Sequence, residues 1–71
     1  MNLAKLKGKI AECGFDTLEK LENATKIKSA TLSRKLRGES EFKLGELNSL
    51  RSALCLTDQE TNDIFFDLNL H

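Results

Sequence analysis

The stretch TLEKLENATKIKSATLSRKLRG, residues Thr17 to Gly38, predicts two short helices joined by a tight turn. The second of these helices is expected to start near Lys28 or Ser29, where a serine hydroxyl can accept a hydrogen bond from an unpaired backbone N–H of the first turn. It is expected to end at Gly38, because glycine adopts the left-handed C′ conformation without strain. Two helices at this spacing, the second rich in cations, are typical of a helix-turn-helix.

The face that the second helix turns to solvent predicts a function. Ile27, Leu32 and Leu36 share one stripe at helical spacing, so we expect them to point inward. The residues expected to face away are small, polar or basic: Ser29, Ala30, Ser33, Arg34 and Arg37. Small side chains let a helix approach the floor of the DNA major groove, and an arginine one turn later can donate two hydrogen bonds to guanine. Arg34 is therefore the first candidate for reading a base.

Composition limits the fold to one small all-α domain spanning residues 1–71. The chain has no Pro, Trp or Tyr and is rich in Leu, Lys and Glu, which favours helices over strands. A chain of this length can bury only a modest core. No apolar run approaches the ~20 residues of a bilayer span, and the N-terminus lacks the apolar block of a signal peptide. We therefore expect a cytoplasmic protein without membrane contact.

Charge is distributed unevenly, although the formal net charge is zero. Residues 26–43 carry six cations and two carboxylates, whereas residues 44–71 carry one arginine and five carboxylates. A cationic surface gains affinity for phosphates through counterion release, and an acidic far side weakens indiscriminate binding. The alternative is that both sets of charges are simply solvated helix faces.

Three further helices are predicted around the central pair, one before it and two after it. Asp16 with Glu19, and Thr57 with Glu60, are expected to form capping boxes at the starts of the second and fifth helices. The fifth helix is expected to stop near Asn69. The inward residues predicted for helices one, two, four and five are Leu3, Leu6, Ile10 and Cys13; Leu18, Leu21 and Ala24; Leu44, Leu47, Leu50 and Leu54; and Ile64, Phe65 and Leu68.

Apolar residues near the end of the chain predict a candidate dimer interface. Phe66 and Leu70 do not share the helix face of Ile64 and Leu68, so they leave apolar surface exposed in a monomer. The alternative is a broad core stripe that buries Phe65 and Phe66 together.

We predict neither catalysis nor a metal or cofactor site. The only histidine is His71, and no nucleophile and base pair accompanies it. Cys13 and Cys55 are too few to bind zinc without histidine partners, and each ends an apolar stripe, as buried cysteines do. We expect both to be reduced thiols. A Gly-rich cradle for a cofactor phosphate is also missing from the sequence.

Nearly the whole chain resembles the lambda-repressor-like, Cro-type helix-turn-helix regulators of bacteriophages and their bacterial relatives. The motifs that carry the resemblance are KGKIAECG (7–14), TLSRKLRG (31–38), EFKLGEL (41–47) and LTDQETNDIFF (56–66). It implies a compact five-helix domain whose second and third helices form the helix-turn-helix. It also implies a homodimer that binds a palindromic operator in double-stranded DNA, within the cytoplasm or nucleoid of a bacterial host, and represses transcription.

The resemblance and the outward face of helix three together define the candidate site residues. The base-reading candidates are Ser29, Ala30, Ser33 and Arg34. The phosphate-binding candidates are Thr17, Lys28, Lys35, Arg37 and Lys43.

The chain differs from the family pattern within the helix-turn-helix itself. Glu22 replaces a small residue, Lys26 replaces the glycine of the turn, Leu18 replaces a phosphate-clamping glutamine and Lys28 replaces a capping serine. A left-handed conformation at Lys26 costs about 1 kcal/mol. The alternative function is a small regulator that binds a partner repressor protein without reading DNA. The acidic C-terminal region and Phe66 support that alternative.

Overall fold

Five α-helices and no strands form residues 1–66, which are the residues that the computed structural model describes. The helices are α1 (Leu3–Glu12), α2 (Leu18–Thr25), α3 (Ser29–Leu36), α4 (Leu44–Ala53) and α5 (Asp58–Phe65). The all-α prediction is confirmed. The Cα radius of gyration of 11.3 Å is that of a compact globule, because a folded chain of this length is expected near ~11 Å. Within residues 1–66 every helix is too short or too polar to cross a bilayer.

Short polar side chains fix where α2 and α5 begin. Thr57 Oγ1 accepts a hydrogen bond from Glu60 N at 3.1 Å, and Glu60 Oε1 accepts one from Thr57 N at 3.0 Å. This capping box confirms the predicted start of α5. At α2 the N-cap is Thr17, whose Oγ1 accepts from Lys20 N at 3.2 Å. The capping box predicted for Asp16 is wrong, because the Asp16 carboxylate instead pairs with Lys20 Nζ at 2.8 Å.

The ends of α1 and α3 lie at the predicted glycines, whereas α5 ends earlier than predicted. Gly14 (φ 85°) and Gly38 (φ 82°) follow α1 and α3 in the left-handed conformation, as expected. The fifth helix ends at Phe65, earlier than predicted, because Phe66 departs from helical geometry with φ −118° and ψ 47°. The predicted contributions of Leu68 and Asn69 lie outside the described residues.

The core is built from apolar side chains of all five helices and of the turns after α2 and α4. α2 packs against α3 and α4, and α1 packs against α5. The inward stripe predicted for α3 is confirmed, since Ile27, Leu32 and Leu36 are all buried. The buried apolar residues are Leu6, Ile10, Leu21, Ile27, Leu32, Leu36, Leu50, Leu54, Leu56, Ile64 and Phe65.

Two predicted core positions, Leu44 and Ala24, are exposed. Leu44 is 70% exposed. Two steps of three residues separate it from Leu50, and each step falls short of a full helical turn by about 60°, so Leu44 points about 120° away from Leu50.

Ala24 is also exposed, and its neighbour Thr25 is buried instead. Thr25 Oγ1 donates to the Leu21 carbonyl at 2.8 Å and accepts from Ile27 N at 3.2 Å. Thr25 thereby ends α2 and starts the turn that leads into α3.

Both cysteines, predicted to be buried, are exposed free thiols. Cys13 is the C-cap of α1, and its Sγ donates to the Leu54 carbonyl at 3.7 Å. Cys55 follows α4 in a left-handed conformation (φ 51°), which lies off the regular geometry that would continue the helical stripe. Each cysteine therefore lies beyond the end of its helix and outside the core.

The turn between α2 and α3 contains a strained lysine. Lys26 adopts φ 66° and ψ 15°, the left-handed conformation expected at this position. Its backbone N–H donates to the Glu22 carbonyl at 2.7 Å, which closes the last turn of α2. A side chain with a Cβ atom is disfavoured there by sterics.

Replacing Lys26 with glycine is expected to raise the free energy of unfolding by about 1 kcal/mol, because the left-handed strain is removed. Urea unfolding of Lys26→Gly and of the wild type measures the difference. The matched control is Lys28→Gly, at φ −60° and ψ 144°, where a glycine relieves no strain and is expected to destabilise the fold. Equal effects of the two substitutions would contradict strain at Lys26.

Cations from α1 and α4 pair with the carboxylates of α5. Lys9 Nζ lies 2.7 Å from Glu60 Oε2, and Lys5 Nζ lies 3.5 Å from Asp63 Oδ2. Arg51 pairs with Asp58 in the same way. The expected acidic surface of the C-terminal region is therefore largely neutralised within the described residues. The hydrogen bond from Lys9, together with that from Thr57 N, lowers the pKa of Glu60 to about 2.

This lowered pKa predicts a specific loss of stability in acid. The folded protein favours the ionised form of Glu60, so its contribution is complete above the ordinary pKa of 4.5 and is lost as the pH falls from there to about 2. Glu60→Gln is expected to flatten the unfolding free energy over that pH range, measured by urea unfolding at each pH. The control Glu41→Gln removes an exposed carboxylate that has no hydrogen bond among the described residues, and is expected to leave the profile unchanged.

Candidate nucleic-acid interface

The segment from the α2–α3 turn to the start of α4 carries the exposed cations of the candidate site. Five basic side chains are exposed there, against the two exposed carboxylates of Glu39 and Glu41. The exposed basic residues are Lys26, Lys28, Arg34, Arg37 and Lys43. The positive charge predicted for this segment is thus at the surface, apart from that of Lys35, which is buried.

Glu22 on α2 caps the start of α3. Its Oε1 accepts hydrogen bonds from Ser29 N at 2.8 Å and from Ser29 Oγ at 2.6 Å. Lys28 occupies the N-cap position and provides no side-chain hydrogen bond. The expected role of the serine hydroxyl as a capping acceptor is therefore wrong, because Ser29 donates and Glu22 accepts.

The Glu22 cap was missed because it joins residues on different helices. Glu22 and Ser29 are separated by seven residues, beyond the three-residue spacing of a capping box. The only signal in the sequence was a carboxylate at a position where the resembling family has a small residue. The hydrogen bonds from the Ser29 hydroxyl and N–H, with the charge of Lys28, lower the pKa of Glu22.

The outward face of α3 has the composition predicted for it. Ala30, Arg34 and Arg37 are exposed, and Ser29 and Ser33 are half-buried. No hydrogen bond or ion pair to another described residue engages the Arg34 guanidinium. All five of its N–H donors therefore remain available to a ligand.

Arg37 is held loosely at the end of the same face. Its Nη1 donates to Ser33 Oγ at 2.6 Å, and its Nε donates to Glu39 Oε2 at 2.7 Å. Both charged side chains are about half exposed, at 55% and 54%. An exposed ion pair contributes only about 0–1 kcal/mol, so Arg37 can exchange Glu39 for a phosphate.

Lys35, predicted to bind phosphate, is buried and faces the protein interior. The inward face of α3 includes Leu32, Lys35 and Leu36, because the last two lie three and four residues after Leu32. Lys35 Nζ donates to Glu46 and lies 5.9 Å from the centre of the Phe42 ring. Its charge is neutralised below the surface, so the assignment of Lys35 to phosphate binding is wrong.

Glu46 joins α3 to the start of α4. Besides pairing with Lys35, its Oε1 accepts from Lys43 N at 2.7 Å. Burial raises the pKa of Glu46, but the hydrogen bonds from Lys35 Nζ and Lys43 N outweigh it and lower the pKa overall. One carboxylate thus orients α3 and also satisfies a backbone donor at the N-terminus of α4.

Lys35→Met is expected to lower the free energy of unfolding by about 3 kcal/mol, because it leaves the Glu46 carboxylate enclosed without its partner. Adding Glu46→Gln is expected to restore part of this loss, since a neutral amide oxygen can still accept from Lys43 N. A double-mutant cycle by urea unfolding measures the coupling, which we expect to exceed about 1 kcal/mol. Additive effects of the two substitutions would contradict the pairing.

The remaining phosphate candidates lie at helix starts. Thr17, Lys28 and Lys43 are exposed and are the N-caps of α2, α3 and α4. Backbone N–H groups at helix N-termini are common partners of phosphate. An open groove of about 380 Å³ runs between the turn and α4, and Lys26 and Lys28 line it. Leu18 packs against the core.

Phe66 is 49% exposed, whereas its neighbour Phe65 is 7% exposed. The two rings are perpendicular, with centres 6.5 Å apart. The alternative of a core stripe that buries both rings is therefore wrong. Leu70, the other candidate interface residue, lies outside the described residues.

Comparison with protein-family models, with curated proteins and with solved structures found no match for this chain. In residues 1–66, groups of three or more His, Cys, Asp or Glu side chains that could hold a metal ion do not occur.

Proposed function

We propose that this protein is a sequence-specific, double-stranded DNA-binding transcriptional regulator of the lambda-repressor-like, Cro type. In this proposal α2, the turn and α3 form the helix-turn-helix, and α3 enters the major groove. Ser29, Ala30, Ser33 and Arg34 face the bases. The proposed output is repression, by occluding a promoter in the bacterial cytoplasm or nucleoid.

The observation that carries the proposal is the guanidinium of Arg34, which has no hydrogen bond or ion pair to any other of residues 1–66 and is exposed one turn after the small side chain of Ala30. An arginine so placed can donate two hydrogen bonds to O6 and N7 of guanine, the commonest specific contact in the major groove. The helix beneath it is held at its start by Glu22 and near its end by Lys35. A reading helix fixed at both ends loses little freedom when it binds.

Exposed cations around α3 supply the proposed phosphate contacts. Lys28, Arg37 and Lys43 are the charged candidates, with Thr17 at the N-terminus of α2. Lys26 joins them because it is exposed in the turn and lines the groove beside Lys28. Each phosphate that a cation neutralises is expected to add about −0.9 to the slope of log affinity against log salt concentration.

A single subunit with so few phosphate contacts would bind weakly, so the proposal includes a homodimer on a palindromic operator. The two copies of α3 would enter successive major grooves about 34 Å apart. Linking two half-sites raises affinity without any new contact in either. The exposed Phe66 is the candidate for the contact between subunits.

The alternative is a regulator that binds a partner repressor protein without reading DNA. The exposed ring of Phe66 favours it. Its second support, an acidic C-terminal surface, is weakened by the pairing of Asp58, Glu60 and Asp63 with cations. The exposed guanidinium of Arg34 has no evident use in this alternative.

Selection from a random duplex library at low salt, followed by salt titration of the enriched sequences, tests the proposal. We expect a palindrome and a steep negative salt slope. Arg34→Ala is expected to cost about 1–3 kcal/mol and to relax one base position, whereas Lys43→Ala should weaken all sequences alike and reduce the slope by about 1. The control Lys7→Ala removes an exposed lysine on α1, outside the proposed interface.

Binding without sequence enrichment would contradict the proposal, as would equal behaviour of Arg34→Ala and Lys43→Ala. Arg34→Glu separates the two functions, because charge reversal should abolish duplex binding and leave binding of a protein partner unchanged.

A further inference from the structure

The hydroxyl of Ser29 has its proton committed within the protein. Ser29 Oγ lies 2.6 Å from Glu22 Oε1, and Ser29 N donates to the same oxygen at 2.8 Å. An ionised carboxylate has no proton to give, so the hydroxyl must be the donor in this pair. The lowered pKa of Glu22 keeps that carboxylate ionised at neutral pH.

A serine hydroxyl has one proton and two lone pairs. With its proton given to Glu22, Ser29 can only accept a hydrogen bond from a ligand. In the major groove, the donors on the bases are the amino groups of adenine (N6) and cytosine (N4), whereas guanine and thymine offer acceptors.

We propose that Glu22 sets the base preference of α3 by making Ser29 an obligate acceptor, so that the operator base opposite Ser29 is adenine or cytosine. This inference rests on the proposed function and adds a chemical rule for one operator position. Glu22 itself contacts no base and is a positioning residue.

Ser33 provides an internal contrast on the same face of α3. Arg37 Nη1 donates to Ser33 Oγ at 2.6 Å, and a guanidinium cannot accept. The hydrogen bonds among residues 1–66 give the Ser33 proton no acceptor, so this hydroxyl can still donate to a base acceptor, including those of guanine and thymine. Two serines one helical turn apart thus differ in what they can recognise, although the sequence shows the same residue type at both.

Placement supports a direct contact by Ser29. It is the first residue of α3 and is half-buried, beside the exposed Ala30. Its hydroxyl is polarised by donating to a carboxylate, and a donating hydroxyl becomes a better acceptor. If Glu22 were only a helix cap, its removal would lower stability and affinity without changing which bases are selected.

The test is duplex selection with the wild type and the variants Ser29→Ala, Glu22→Gln, Glu22→Ala and the double variant Glu22→Ala/Ser29→Ala. Ser29→Ala retains the Glu22 bond to Ser29 N, and Glu22→Gln retains an acceptor oxygen, so both are suited to remain folded. Circular dichroism and urea unfolding establish which variants fold. The operator position whose preference is lost in Ser29→Ala is the position opposite Ser29.

At that position we expect the wild type and Glu22→Gln to select adenine or cytosine by about 3- to 10-fold, the range of one hydrogen bond. Glu22→Ala is expected to admit guanine and thymine there, and the double variant should match Ser29→Ala. Guanine or thymine at that position in the wild type would overturn the inference, and so would a Ser29→Ala variant that relaxes no position. Failure of the wild type to enrich any sequence would instead overturn the proposed function.

Discussion

The buried pairing of Lys35 with Glu46 is the interaction on which the arrangement of the candidate site depends. It removes one cation from the surface of α3, joins that helix to α4 and occupies the carboxylate that also receives Lys43 N. A charge enclosed without its partner is costly, so the pair holds α3 in one orientation. That orientation places Arg34 outward, because Lys35 and its two leucine neighbours face inward.

A second carboxylate fixes the other end of α3. Glu22 reaches from α2 to Ser29 and replaces the cap that the serine hydroxyl was expected to provide. Lys26, in the turn between them, is strained, and the bonds of Thr25 and Glu22 on either side hold the backbone there. The sequence differs at Glu22, Lys26 and Lys28 from the family that it resembles. In the structure these three residues belong to one local arrangement around the α2–α3 turn.

Charge distribution looks different in three dimensions than along the chain. The C-terminal acids, which form a negative block in the sequence, meet lysines of α1 and an arginine of α4. The cations around α3 have fewer such partners, and Arg34 has none among the described residues. Exposed cations around α3, together with paired acids on α5, favour phosphate binding near α3.

By itself the sequence determined the five helices, the glycines that end α1 and α3, the cap at Thr57 and the buried stripe of Ile27, Leu32 and Leu36. These features depend on residues close together along the chain, and spacing along the chain determines which of them share a face. Only the tertiary structure decided the partners of Lys35 and of Ser29. Each of these partners depends on which helix lies across from the residue. A periodic pattern in the sequence carries no information about which helices pack against each other.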